Sequence, residues 1–268
     1  MCTILVANHA HAAHPVIVAA NRDEMYARRS TAPQVLRESP CIVGGRDGER
    51  GGTWLGVNER GMFAAITNQR TWRMADRSRR SRGDVVVGAL ECESPDTAAA
   101  FLASLDGARY NPFNLVFGDA TAMYVAYVRD DPAEAHVERL PHGLWILPND
   151  VIDSGDFPKV LHAKEIVAPM LAEPYESLVR AMKSALRSHV VMPDEKLPPP
   201  PADSGISMDF VRALSPMCIH TPLYGTHSAS VVALDAGRVA QYEFAAGPSC
   251  ENPFVDVMPL LRATHPRD

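Results

Sequence analysis

Cysteine is scarce and unpaired in this chain of 268 residues: Cys2, Cys41, Cys92, Cys218 and Cys250 are scattered, with no Cys-x-x-Cys spacing. An odd, dispersed set argues against a disulfide framework or a zinc knuckle, so each is expected as a free thiol. No apolar run approaches the roughly 20 residues that cross a bilayer, and no stable membrane insertion is expected. The opening Met1-Cys2-Thr3-Ile4-Leu5-Val6-Ala7-Asn8-His9 has no basic lead and too short an apolar stretch for a secretory signal. A cytoplasmic location follows as the expectation. Basic charge is not in excess either, with 26 Lys and Arg against 32 Asp and Glu and a net charge of -6. Phosphate backbones are held by concentrated Lys and Arg, so no nucleic acid is expected among the partners.

Hydrophobic residues make up 46% of the chain and charged residues 22%, the proportions of a folded protein with a sizeable core. Ile4 to Ala7 and Val16 to Ala20 are apolar runs joined by a His-rich turn, the pattern of two buried strands. Further strands are predicted at Thr53 to Val57, Met62 to Asn68, Phe113 to Gly118, Ala122 to Val128, Ser228 to Leu234 and Val239 to Phe244. Turn residues between several of them make antiparallel meanders. A helix pair is predicted within Gly83 to Leu105, with Ser94 or Asp96 capping the second helix. Two more helices fall at Lys159 to Leu171 and Glu176 to Arg187, and Met192 to Pro201 reads as an extended surface loop. Strand-rich ends around a helix-rich middle predict one α+β domain over 1–268, because the last strands need the first as partners.

Chemistry gathers at the N-terminus. Removal of Met1 leaves Cys2 with a free α-amine, a local base with a pKa of about 8 beside the thiol it can activate. Directly after the second strand stand Asn21-Arg22-Asp23-Glu24. Arg22 supplies positive charge that favours a thiolate, and Asp23 is suited to orient an amine. Asn68 closes a buried strand, where a carboxamide can donate to a developing oxyanion. The plainer readings are a buried strand cysteine and a solvated strand exit.

These blocks resemble the NRDE proteins, also called the transport and Golgi organisation 2 family. The resemblance rests on Met1-Cys2-Thr3, Ala20 to Glu24, Gly51 to Val57, Ala64 to Asn68, Phe113 to Asp119, Phe157 to Val160 and Tyr224 to Thr226, in order along the chain. That family is similar in turn to N-terminal-nucleophile hydrolases of the conjugated-bile-acid hydrolase and penicillin V acylase kind. The resemblance implies a four-layered αββα sandwich. It also implies Cys2 as nucleophile, Asn68 as the oxyanion-hole asparagine and Asn149 as a second site asparagine, with Arg22 and Asp23 in the activating block. The hydrolases space their arginine and aspartate three apart, whereas Arg22 and Asp23 are neighbours and face opposite ways on a strand. His227 stands where many relatives have arginine, replacing a fixed charge by one that titrates near neutrality.

Six arginines fall within the thirteen residues from Arg70 to Arg82. Such a run is ordinarily a solvated loop, but beside a site arginines clamp phosphates or carboxylates, and Trp72 offers a flat ring to stack on. Arg70 and Trp72, with His227, are therefore candidate substrate-binding residues. His9, His11 and His14 are read as exposed turn residues; no metal site and no resident cofactor are expected. The leading function is acyl transfer from a small acylated amide or thioester. The alternative, from the family's association with haem trafficking, is a non-catalytic carrier of haem or another hydrophobic ligand. Neither reading fixes an oligomeric state.

Overall fold

The computed structural model describes residues 2–262. Among the described residues, thirteen strands form two antiparallel sheets, with helices outside each. The strands are β1 (Thr3–Asn8), β2 (Val16–Met25), β3 (Ser30–Glu38), β4 (Cys41–Asp47), β5 (Leu55–Asn58), β6 (Phe63–Asn68), β7 (Phe113–Gly118), β8 (Met123–Asp130), β9 (Ala133–Arg139), β10 (Gly143–Leu147), β11 (Tyr224–Asp235), β12 (Arg238–Ala245) and β13 (Val255–Asp256). The first sheet runs β10-β1-β2-β11-β12-β13 and the second β3-β4-β5-β6-β7-β8-β9. The helices are α1 (Arg82–Glu91), α2 (Pro95–Ala103), α3 (Pro158–Val167), α4 (Tyr175–Leu186), α5 (Met208–Ala213) and α6 (Met258–Arg262). No helix among the described residues is long and apolar enough to cross a membrane.

Side-chain alternation along the strands builds the layers. Ile4 and Val6 of β1, with Val16, Val18 and Ala20 of β2, face the second sheet and meet Val43, Leu55, Val57 and Phe63 there. The intervening Leu5, Ala7, Ile17 and Ala19 face outward, onto Val160 and Ala163 of α3 and Leu178 and Met182 of α4. On the far side, Ile42, Met62 and Ala64 pack under Val86, Leu90, Ala98 and Leu102 of α1 and α2. The order is helix, sheet, sheet, helix: the four-layered αββα sandwich expected. Each fully buried large side chain, Phe63, Phe113 and Phe117 among them, contributes about 1.5–3 kcal/mol of burial.

Local chemistry fixes the helix starts. Ser94 accepts from the Thr97 amide while Thr97 returns a bond to the Ser94 amide, and Pro95 opens α2 with no hydrogen-bonding N–H to lose. Pro158 does the same for α3. The segment around Met192 to Pro201 is less exposed than expected, since Met192 and Leu197 are buried with Val211 and Trp72 packs on them.

Candidate active site

The antiparallel register of β1 and β2 pairs Thr3 with Asn21, which sets Cys2, just ahead of β1, beside Arg22 within β2. Cys2 continues the face of Ile4 and Val6, and Arg22 that of Val18 and Ala20, so both point between the sheets. Both are buried, at 9% and 5% exposure. Arg22 bonds Ser30 Oγ at 3.4 Å and lies 4.0 Å from Glu24. Asp23 falls on the other face, as alternation requires. Its backbone carbonyl accepts weakly from the Cys2 thiol at 3.8 Å, and its carboxylate accepts from Thr226 Oγ at 2.7 Å. β2 thus runs on through Asn21-Arg22-Asp23-Glu24 instead of ending at Ala20, and the charged block is in-strand. Burial holds the Cys2 thiol above its ordinary range; the charge of Asp23 pushes it the same way, while the hydrogen bond to the Asp23 carbonyl and the charge of Arg22 oppose.

A cavity of about 380 Å³ opens over Cys2, Arg22 and Asn68 and is rimmed by Arg82 and other arginines. Asn68 ends β6 with its side chain exposed to this space, and its carboxamide bonds no described residue. Asn149 is buried and stands behind it, donating Nδ2 to the Asn68 carbonyl at 2.6 Å. Asn149 holds Asn68 in place and does not line the Cys2 cavity. Its turn is tied down by Thr67, whose hydroxyl donates to the Pro148 carbonyl, and by Asn114, which bonds Thr67 and the Asp150 carbonyl.

Asn68 and Arg82 also belong to a second, adjoining cavity of about 720 Å³. Arg70 and Trp72 line this one, together with Ile206, Phe210 and Leu214. The Arg70 guanidinium lies over the Trp72 ring at 4.8 Å and the Phe157 ring at 4.2 Å, and 3.6 Å from Asp156. His227 lines neither cavity. It occupies the β-bulge where β11 shifts register against β2 between Thr226 and Ser228, with Tyr26 alongside. Burial, then Arg22, holds its pKa below the ordinary histidine value. The three turn histidines have separate partners: His9 the Ala120 carbonyl, His11 the Glu173 carbonyl and His14 the Asp235 carboxylate.

Three residues gain importance that the sequence did not single out. Lys159, 2% exposed, donates to the Pro216 carbonyl at 2.9 Å; burial lowers its pKa while Asp23 and Cys2 hold its charge in place. Arg82 opens α1 facing the cavity, and its guanidinium has no hydrogen-bond or ion-pair partner among the described residues. Its place is set by glycines: Gly52, at φ +67°, packs so closely that a Cβ would lie 2.3 Å from the Gly83 carbonyl carbon. Thr226 clamps Asp23, and Gly225 beside it lies where a Cβ would be 2.1 Å from the Tyr26 hydroxyl. A lysine at the start of an apolar helix and a glycine directly after the arginine run were the signals available.

The four-layered sandwich, with a cysteine at the end of its first strand facing the inter-sheet cavity, defines an N-terminal-nucleophile hydrolase type of fold. Solved structures agree. The C2A mutant of the conjugated bile acid hydrolase from Clostridium perfringens superposes with a TM-score of 0.56 at 11% identity, covering 97% of this chain and 93% of that one. A Caenorhabditis elegans ortholog of N-acylethanolamine-hydrolyzing acid amidase gives 0.53 at 12% identity, covering 87% and 92%. Within that class the chain belongs to the Transport and Golgi organisation 2 family, whose model matches residues 1–245. The Bos taurus homolog of Transport and Golgi organization protein 2 is 29% identical over 238 residues, covering 84% of this chain and 83% of its own. The Homo sapiens homolog is 28% identical over 242 residues, with the same coverage.

Proposed function

We propose that the protein is a cysteine amidohydrolase or acyltransferase acting on a small, anionic amide or thioester in the cytoplasm, as a single domain over 1–268. The observation that carries this reading is the shared cavity: Cys2, Arg22 and Asn68, whose carboxamide is unengaged, line one space rimmed by arginines. After removal of Met1, the α-amine of Cys2 takes the thiol proton as sulfur attacks the carbonyl carbon. The oxyanion accepts hydrogen bonds from Asn68. Collapse expels an amine or thiol, which receives the proton, and water or a second nucleophile then takes the acyl group from sulfur. A buried thiol with a raised pKa suits a base that acts during attack better than a standing thiolate.

Arg82 suits a substrate carboxylate or phosphate, because its guanidinium hydrogen-bonds and ion-pairs with no described residue, Glu24 and Cys2 acting on it only through space. The adjoining cavity, with Trp72, Phe210 and Leu214 in its wall, suits an apolar or planar moiety. The test is mass analysis of the mature N-terminus combined with labelling by a panel of acyl probes. Label on Cys2 alone, abolished in Cys2→Ala, is expected; equal labelling of Cys41, Cys92, Cys218 and Cys250 sinks the reading.

The second reading, a carrier of haem or another hydrophobic ligand, is favoured by that same apolar wall. No histidine is among the described residues that line either cavity, leaving Cys2, Met74 and Tyr224 as the groups there able to ligate iron. Haem titration of wild type and Met74→Leu discriminates: unchanged spectra on titration remove this reading.

A further inference from the structure

Away from the Cys2 cavity, four side chains from three segments converge. His189 follows α4, Cys218 and His220 precede β11, and Cys250 follows β12. One ligand atom from each lies within 4.8 Å of all the others. Cys218 Sγ is 3.5 Å from Cys250 Sγ and 3.6 Å from His220 Nε2, which is 3.3 Å from Cys250 Sγ. Zinc bonds of about 2.3 Å to sulfur and about 2.0–2.1 Å to nitrogen give a tetrahedron whose edges are about 3.3–3.8 Å. All three separations fall in that range.

The outward nitrogens are also provided for. His189 Nδ1 meets the Cys218 carbonyl at 3.2 Å, leaving Nε2 for a ligand, and His220 Nδ1 is 3.9 Å from Glu251 Oε1. Carbonyl and carboxylate partners of this kind orient metal-binding imidazoles. A disulfide between the cysteines would use neither histidine.

We propose that His189, Cys218, His220 and Cys250 form a closed Cys2His2 site for a zinc-like divalent ion. Thiolate and imidazole donors select zinc over magnesium or calcium, and four protein ligands leave no open position for catalysis. Binding forms two metal–sulfur and two metal–nitrogen bonds, and the two thiol protons pass to solvent. The ion's work is to fix the segment that carries Cys218. In that segment Pro216 accepts from Lys159, Met217 accepts from Asn21, and Ile219 donates to Thr226 Oγ, the hydroxyl that bonds Asp23. The ion therefore braces the Cys2 site from behind, whatever reaction that site performs.

The test uses the full chain, purified without chelator under reducing conditions. Elemental analysis is expected to find about one zinc per chain. Metal-free protein titrated with cobalt(II) should develop the visible bands of tetrahedral thiolate-bound cobalt. Cys250→Ser and His220→Ala, both at exposed positions, should bind cobalt at least about tenfold more weakly while keeping the far-UV circular dichroism of wild type. Absence of those bands in reduced protein, undiminished binding in both variants, or a Cys218–Cys250 disulfide in protein whose thiols were trapped at lysis each overturns the proposal.

Discussion

In the proposed reaction the carboxamide of Asn68 is the donor to the oxyanion, and its position is inherited from Asn149 through one short bond to the backbone. Asn68→Ala is expected to raise the barrier by about 3 kcal/mol, roughly two orders of magnitude in kcat, with little change in thermal stability. Rates measured on the substrate that labels Cys2 check this. His227 makes a different prediction. Its folded pKa is depressed, so between that value and about 6.5 the unfolded chain binds more protons and stability rises with pH. Wild type should lose stability as pH falls through this window; His227→Gln should lose less, as denaturation midpoints at several pH values would reveal. Cys2, Arg22 and Asn68 were legible because each sits in an ordered block. Lys159 and Thr226 were not, because their importance lies in partners 57 and 203 residues away.

At the scale of elements, the strands that read clearly are those buried on both faces, such as β2 and β7, where apolar runs are continuous. Five escaped notice: β3 and β9 are the two edges of the second sheet, β10 and β13 the two edges of the first, and β4 is an interior strand whose short Cys-Ile-Val run breaks off at Gly44-Gly45. Ala133-Glu134-Ala135-His136-Val137-Glu138-Arg139 is largely exposed, and an edge strand needs no apolar signature to pair on one side. The helix pair of the second sheet was legible from Ser94 and the apolar spacing after it. The approach of the 51–53 loop to α1 was not, since a glycine shows that something comes close without saying what. Gly52→Ala should cost about 1–3 kcal/mol from its left-handed backbone alone. Displacement of Arg82 should add a rise in KM for an anionic substrate, and denaturation with kinetics on the one variant separates the two effects.

Taken whole, the molecule is two sheets whose shared interior ends at Cys2. The layer order came from the resemblance, since strand periodicity alone cannot say which sheet a meander joins. β1 is an interior strand, paired on one side with β10 and on the other with β2, so its leading end cannot swing out as a free edge could. Cys2 itself lines the cavity, so whatever is fused to its backbone nitrogen is joined to the residue on which the proposed chemistry rests. For anyone handling the protein, the choice of affinity tag is thus a choice about function. A tag fused before Cys2 should silence probe labelling, while the same tag at the far end should leave it intact, and cleavage that exposes Cys2 should restore it.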